Sequence, residues 1–249
     1  MKIIVTAGPT REHLDPVRFL SNPSTGKMGF AVAAAAARRG HDVTLVAGPV
    51  ALKTPRGVRR IDVVSAREML AAVEDALAAV PADEPAAFVS TAAVADWRPA
   101  KCAAQKLKKR QMSGVLKLMR NPDILKTVRA KLRREKKTNV ALVGFAAETN
   151  DVLAEAARKC REKGLAFIAA NDVTEKGCGF GTDTNRVTLV FPDGTLKKLP
   201  LATKARVALA LTREVERVNG LKRSNGCREL KRCCGLNRLN ELNGSKERE

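Results

Sequence analysis

Short, mostly apolar runs alternate with longer amphipathic stretches along most of this chain. KIIVTA near the start, DVTLVAG from position 42, RRIDVV at 59–64, AAFVSTA at 86–92, VALVGFA at 140–146 and AFIAAN at 166–171 read as strands buried on both faces. Between them, GKMGFAVAAAAARRG, SAREMLAAVEDALAAV, NPDILKTVRAKLRREKK and NDVLAEAARKCREKG read as helices. Strand and helix in alternation predict an α/β fold: a Rossmann-like parallel sheet flanked by helices. The first strand, helix and strand make a crossover unit, whose ligand crevice lies beyond the strand's carboxyl end.

The rhythm then changes. RVTLVF, the turn PDGT and LKKLPL predict a hairpin with Asp193-Gly194 at its tip, and ATKARVALALTREVERV predicts a closing helix. From Asn219 onward the chain is polar, charged and poor in aromatics, which predicts a domain over 1–218 and a flexible basic tail over 219–249. The tail's charges are mixed in sign; a basic arm for nucleic acid or a partner helix is the alternative.

Two irregular stretches interrupt the pattern. The first runs from Gly8 to Thr25, where a βα connection ordinarily takes about 2–6 residues. A loop of that length in a compact domain is usually functional. It carries Arg18, Ser21 and Asn22, and its Gly8, Thr10, Ser24, Thr25, Gly26 and Lys27 are suited to a phosphate at a helix amino terminus. It is not a P-loop, because Ser21 and Met28 stand where that motif needs Gly and Ser or Thr. A dinucleotide fingerprint is also missing: only Gly8 precedes the insertion, and the second strand closes on Ala47-Gly48-Pro49 without a ribose-binding acid. An NAD(P)-dependent reductase on the same sheet is therefore the weaker alternative.

The second stretch is 96–121, with the cationic run Gln105-Lys106-Leu107-Lys108-Lys109. A charge run is usually a solvated surface loop. This one follows a strand opening on the same crevice, as a flap closing over a triphosphate would. Asn121-Pro122-Asp123 then predicts a helix start, with Asn as the cap and Pro in the first position.

Composition narrows the classes. The formal charge of +20 suits polyanionic ligands, yet seven Phe, one Trp and no Tyr leave too few rings for a single-strand nucleic-acid platform. Six cysteines without a C-x-x-C pair, and only two histidines, argue against a zinc site and for reduced thiols. No apolar run reaches membrane-spanning length, and Met1 leads straight into a strand. The expectation is a cytoplasmic protein.

TAGPTRE, DPVRFLSN, STGKMG, AAVADWRP, QKLKK, NPDIL, VGFAAET, ANDV and GFGTDTNRVTL, in that order and spacing, resemble the phosphopantothenoylcysteine synthetase family of coenzyme A biosynthesis. The resemblance covers roughly Met1 to Val218. It implies a ligase that joins 4′-phosphopantothenate to L-cysteine, with CTP and Mg²⁺, through an acyl-cytidylate. It further implies a homodimer built through the C-terminal hairpin, and an association with a decarboxylase domain or protein. By the same resemblance Asn22, Arg18 and Lys106 are catalytic. Ala92, Ala93, Asp96, Lys106, Pro122, Asp123, Ile124, Leu125, Phe145, Lys159 and Lys163 stand at CTP-contacting positions. Asp96 is also the candidate for the metal ion or a ribose hydroxyl. The choice of CTP over ATP rests on the resemblance alone. The tail after Asn219 has no counterpart in the family.

Overall fold

The computed structural model describes residues 1–111, 114–175 and 177–220, so the predicted tail lies outside the described residues beyond Gly220. In chain order the strands are β1 (Lys2–Ala7), β2 (Arg11–His13), β3 (Phe19–Ser21), β4 (Asp42–Ala47), β5 (Val58–Asp62), β6 (Ala86–Ser90), β7 (Trp97–Pro99) and β8 (Leu118–Arg120). They continue as β9 (Val140–Glu148), β10 (Phe167–Asp172), β11 (Thr184–Asn185), β12 (Thr188–Val190), β13 (Leu196–Lys198) and β14 (Ala202–Thr203). The helices are α1 (Lys27–Arg38), α2 (Ala66–Ala78), α3 (Ile124–Arg134), α4 (Val152–Glu162) and α5 (Lys204–Val218).

Eight strands form one sheet in the order β13-β12-β10-β9-β6-β1-β4-β5. Six of them, β5 to β10 across the sheet, run parallel. Successive residues of β1 bury on opposite faces: Ile3 and Val5 belong to the core under α1 and α5, Ile4 to the core under α2, α3 and α4. Strands covered on both sides must be apolar throughout, which is why their sequences read as unbroken runs rather than alternations. β5 is the exception: it lies at a sheet edge and none of Val58–Asp62 is buried, so RRIDVV is not the doubly covered strand its sequence suggested. The order reverses at β1. From there the chain winds out through β4 and β5, then returns to the other side of β1 as β6 and winds out through β9 and β10. The gap beyond the carboxyl ends of β1 and β6 is the topological switch point, where α/β sheets take their ligands.

The C-terminal hairpin does not project from the domain. β12 pairs antiparallel with β10, through Ile168↔Val190 and Ala170↔Thr188, so the hairpin extends the sheet and β13 becomes its edge. Leu189 and Val190 are fully buried, and that burial draws the hairpin onto the sheet.

Both irregular stretches contain hairpins that their composition concealed. β2 pairs with β3 inside the long first loop, and β7 pairs with β8 at the base of the flap. Each arm is three residues long, too short to show an alternation.

The start of α3 differs from the sequence expectation. Its cap is Asp123, whose carboxylate accepts from Lys126 N–H, and Pro122 precedes the helix. Asn121 is engaged elsewhere: its Nδ2 donates to the Ala95 carbonyl at 2.8 Å, and its Oδ1 accepts from Arg98 at 3.0 Å. A side chain held by the strand behind it cannot also cap the helix ahead. The last helix likewise begins at Lys204, capped by Thr203, after the two residues of β14.

Candidate active site at the sheet switch point

A cavity of about 480 Å³ opens at the switch point. Several chain segments converge on it, among them the loop and first turn of α1 after β1, the stretch from Ser90 at the end of β6 to Asp96, and the ends of β9 and β10. Their positions are fixed by backbone bonds. Ala93 N–H donates to Gly8 O at 2.9 Å, and Ala95 N–H to Thr10 Oγ1 at 3.0 Å. Gly8 and Thr10 thus brace the wall from behind and are not part of it.

The amino terminus of α1 faces the cavity without a side-chain cap. Gly26 takes a left-handed conformation (φ 78°) that only glycine adopts at little cost, and no acidic residue follows in the first turn. The helix's unpaired N–H groups and its positive end are left for an anion. Gly29 lets this turn approach the sheet, because a Cβ there would lie 2.4 Å from Thr91 Oγ1 and 2.5 Å from Ala7 Cβ. Ser24, Thr25, Gly26 and Lys27 all line the cavity. Lys27 is already engaged: its ammonium meets Gly181 O at 2.8 Å and Asp183 Oδ1 at 2.7 Å.

On the opposite side Lys159 and Lys163 reach the wall from one face of α4. Lys159 pairs with Glu148 of β9, and Lys163 with Asp123 at 2.7 Å. Burial works against the Asp123 carboxylate, but the Lys163 ammonium and the Lys126 N–H together hold it below the usual carboxylate range. Pro122, Asp123, Ile124 and Leu125 form the adjacent wall with Phe145, and Ala92, Ala93 and Asp96 complete it. Eleven positions were expected to contact the nucleotide, and all of these except Lys106 share this one space.

Asn22 also lines the cavity. Its Nδ2 donates to Ala93 O at 3.2 Å and to Val94 O at 3.1 Å, tying the first loop to the segment after β6. Arg18 and Lys106 stand outside the wall. Arg18 grips Asp15 through Nε at 3.0 Å and also through Nη2, and donates to the carbonyl of Leu107 at 2.8 Å. Asp15 is fully buried, and this guanidinium, with the Val17 and Arg18 N–H groups, holds its carboxyl well below the usual range despite burial. Leu107 N–H returns a bond to Asp15 at 3.2 Å. The cationic run is therefore anchored to the first loop at Leu107, and Lys106 is the exposed residue next to the anchor.

Among the described residues no group of three or more His, Cys, Asp or Glu side chains is placed to cage a metal ion. The wall instead offers single carboxylates, of which Asp96 is not in an ion pair with a described lysine or arginine. One or two carboxylates together with substrate phosphates is the usual protein share of a Mg²⁺ site, so the residues fit an ion that arrives with a nucleotide.

Several wall residues carried no sequence expectation: Glu148, Asn171, Phe180, Asn185 and Lys204. The motifs VGFAAET, ANDV and GFGTDTNRVTL contain the first four, but neither spacing nor charge singled out one residue within them.

A family model described as "DNA/pantothenate metabolism flavoprotein C-terminal domain" matches residues 1–218. The Coenzyme A biosynthesis bifunctional protein CoaBC of Vibrio vulnificus (strain YJ016) is 47% identical over 220 residues, covering 88% of this chain and 52% of that protein. Its namesake in Escherichia coli (strain K12) is 47% identical over 218 residues, covering 86% and 51%. The protein of the same name in Bacillus subtilis (strain 168) is 45% identical over 214 residues, covering 86% and 50%. The chain thus spans about half the length of these relatives. Among solved structures, the C-terminal domain of Coenzyme A biosynthesis bifunctional protein CoaBC superposes with a TM-score of 0.72 at 40% identity, covering 89% of this chain and 96% of that one. The DNA/pantothenate metabolism flavoprotein from Streptococcus pneumoniae shares the fold, with a TM-score of 0.69 at 22% identity over 87% of this chain and 99% of that one. The chain belongs to this flavoprotein C-terminal domain family, the phosphopantothenoylcysteine synthetase family that its motifs resemble.

Proposed function

We propose that this chain is a phosphopantothenate–cysteine ligase, which activates 4′-phosphopantothenate with CTP and joins it to L-cysteine. One observation carries this most directly. A single cavity brings an uncapped helix amino terminus, suited to a phosphate, within the same walls as Lys159 and Lys163, suited to a triphosphate.

In the first step a carboxylate oxygen of the acid bonds to the α-phosphorus of CTP, and the bond to the β-phosphate breaks to release pyrophosphate. A carboxylate is already ionised at neutral pH, so no strong base is required. Catalysis is alignment and charge neutralisation, to which Lys159, Lys163 and Lys106 contribute. Mg²⁺ arriving with the triphosphate would supply further neutralising charge, and Asp96 is the residue we assign to hold it. In the second step the cysteine amine bonds to the acyl carbon, the bond to the phosphate oxygen breaks, and CMP leaves as the amine loses a proton. Asn22 is assigned to the acyl centre. Both its amide protons sit on the Ala93 and Val94 carbonyls here, so it serves the oxyanion by exchanging one of those bonds.

Arg18 acts through Asp15 and Leu107 by positioning the flap. The remaining proposals concern assembly: a homodimer using the C-terminal hairpin, whose outer strand β13 presents exposed Leu196, and a decarboxylase domain or protein as partner. A catalytic domain over 1–218, followed by a basic tail, and a cytoplasmic location complete the reading. Among the described residues no helix is long and apolar enough to cross a membrane.

The decisive experiment is pyrophosphate release by the purified chain. Release requiring CTP, phosphopantothenate and Mg²⁺ together supports the proposal. Nicotinamide absorbance changes without pyrophosphate would replace it with the reductase. Thermal-shift titrations with CTP and ATP decide the nucleotide.

A further inference from the structure

Two asparagines in the cavity wall have amide oxygens without a hydrogen-bond partner. Asn171, at the end of β10, is 4% exposed, and Asn185, in β11, is 2% exposed. The Oδ1 of each is sealed from solvent and meets no donor among the described residues. Their backbones lie in ladders, Asn171 opposite Ala147 and Asn185 opposite Ala202, which fixes where the two side chains start. Buried polar groups in folded proteins are almost always paired, and each exception calls for an explanation.

The surroundings narrow that explanation. The wall near them includes Val173 and Phe180, which are apolar, and Lys204, whose ammonium is taken by the Gly179 and Thr182 carbonyls. All three Lys204 donors are taken by neutral oxygens, so its ammonium offers an incoming anion charge but no free hydrogen-bond donor. A carboxylate or phosphate would lose its hydration there with no free cationic donor to replace it, and an ammonium would meet the like charge of Lys204. A primary amide both donates and accepts, and turning it by 180° exchanges the two roles at almost no change in shape. The matching ligand is a neutral segment that itself carries amide and hydroxyl groups, with aliphatic carbon to lie against Phe180 and Val173.

We infer that Asn171 and Asn185 form the specificity subsite for the acid substrate, reading the neutral amide-and-hydroxyl chain between its phosphate and its carboxylate. This rests on the ligase reading above and adds to it how one acid is told from another. A site built to hydrogen-bond such groups rejects analogues lacking them, because its own amides then stay buried and unpaired.

The test compares the full wild-type chain with Asn171→Leu and Asn185→Leu, and with Asn171→Ala and Asn185→Ala should a leucine variant fold poorly. Initial rates of pyrophosphate release are measured against phosphopantothenate, and against a phosphorylated straight-chain acid of equal length without amide or hydroxyl. The melting temperature of each unliganded protein is recorded as well. Wild type should prefer phosphopantothenate strongly. The variants should raise its KM about 10- to 100-fold, leave the KM for CTP and that for the plain acid near wild-type values, and melt no lower than wild type. If wild type releases no pyrophosphate at all, the ligase reading and this subsite fall together. If wild type is active and the variants keep its KM for phosphopantothenate, the ligase stands and the subsite is overturned. If the variants melt lower and both substrates' KM values rise in step, the asparagines are structural and the inference is again overturned.

Discussion

Lys163, at the carboxyl end of α4, and Asp123, the cap of α3, meet at 2.7 Å across one wall of the cavity. Each partner therefore has two tasks. The carboxylate secures a helix start and holds a cation, while the cation is held close to where a triphosphate would lie. The equivalent bond from Lys159 to Glu148 repeats the arrangement one helical turn away. In the function proposed here, nucleotide binding exchanges carboxylate for phosphate at both lysines.

That exchange separates the effects of the partners. Lys163→Met should raise the KM for nucleotide roughly 10- to 100-fold, since a hydrogen bond to a charged group is worth about 1.5–3 kcal/mol. Its melting temperature should change little. Asp123→Ala removes a helix cap, worth about 1 kcal/mol, and should lower the melting temperature by roughly 2–4 °C. Initial-rate kinetics and calorimetry on the two variants check the split; equal effects on stability would contradict it.

Asn22→Ala should slow amide formation about 100- to 1000-fold, the usual consequence of losing one oxyanion donor, and should slow pyrophosphate release less. Single-turnover assays would then detect acyl-cytidylate accumulating on the enzyme. Equal slowing of both half-reactions would remove Asn22 from the second step.

Lys106→Gln should depress pyrophosphate release, and Arg18→Gln should do so indirectly by freeing the flap at Leu107. The two are distinguished by limited proteolysis, with faster cleavage within 96–121 expected in the Arg18 variant alone. An unchanged rate in the Lys106 variant would exclude that lysine from the chemistry.

Acid should loosen the first loop through Asp15. A carboxyl whose folded pKa is depressed stabilises the native state above its unfolded pKa of about 4, and that contribution fades as the pH falls further. Wild type should therefore lose stability below about pH 4 more steeply than Asp15→Asn, although the variant is the less stable protein at neutral pH. Parallel acid limbs in denaturant titrations would show that Asp15 contributes nothing to them.

How much of this was legible beforehand depended on how long each signal was. The six parallel strands and five helices announce themselves because apolar periodicity accumulates over a whole element, as in KIIVTA or in the alanine-rich α1. β2, β3, β7 and β8 have three residues each and stand among prolines and charges, so their pairing is set by distant contacts such as the bond from Ala103 N–H to Leu14 O. The residues that share the cavity wall were named through the family's motifs rather than through spacing. Residue chemistry alone would have left Lys159 and Lys163 as solvated surface cations. Arg18 and Lys106 illustrate the opposite limit: motifs named them, but only the fold places one as an anchor and the other as its exposed neighbour. Asn171 and Asn185 carry no charge and no pattern, and their meaning emerges only from the partners they lack.

The close approach at Gly29 makes one more prediction. Gly29→Ala forces a methyl against Thr91 and Ala7, and overpacking of this kind costs about 1–3 kcal/mol. The melting temperature should fall by several degrees, and the first turn of α1 should shift away from β1. A crystal structure of the variant with α1 unmoved would show that the sheet gives way instead.

This contact also bears on how an incoming phosphate is received. With no clearance between the α1 turn and β1 and Thr91 beneath it, the dipole's positive pole is held in place before any ligand arrives. A guest meets a finished receptor, so little of its binding enthalpy is consumed in assembling the host. Capture at that end of the crevice should consequently be fast, with adaptation left to the lysine and flap contacts at the other.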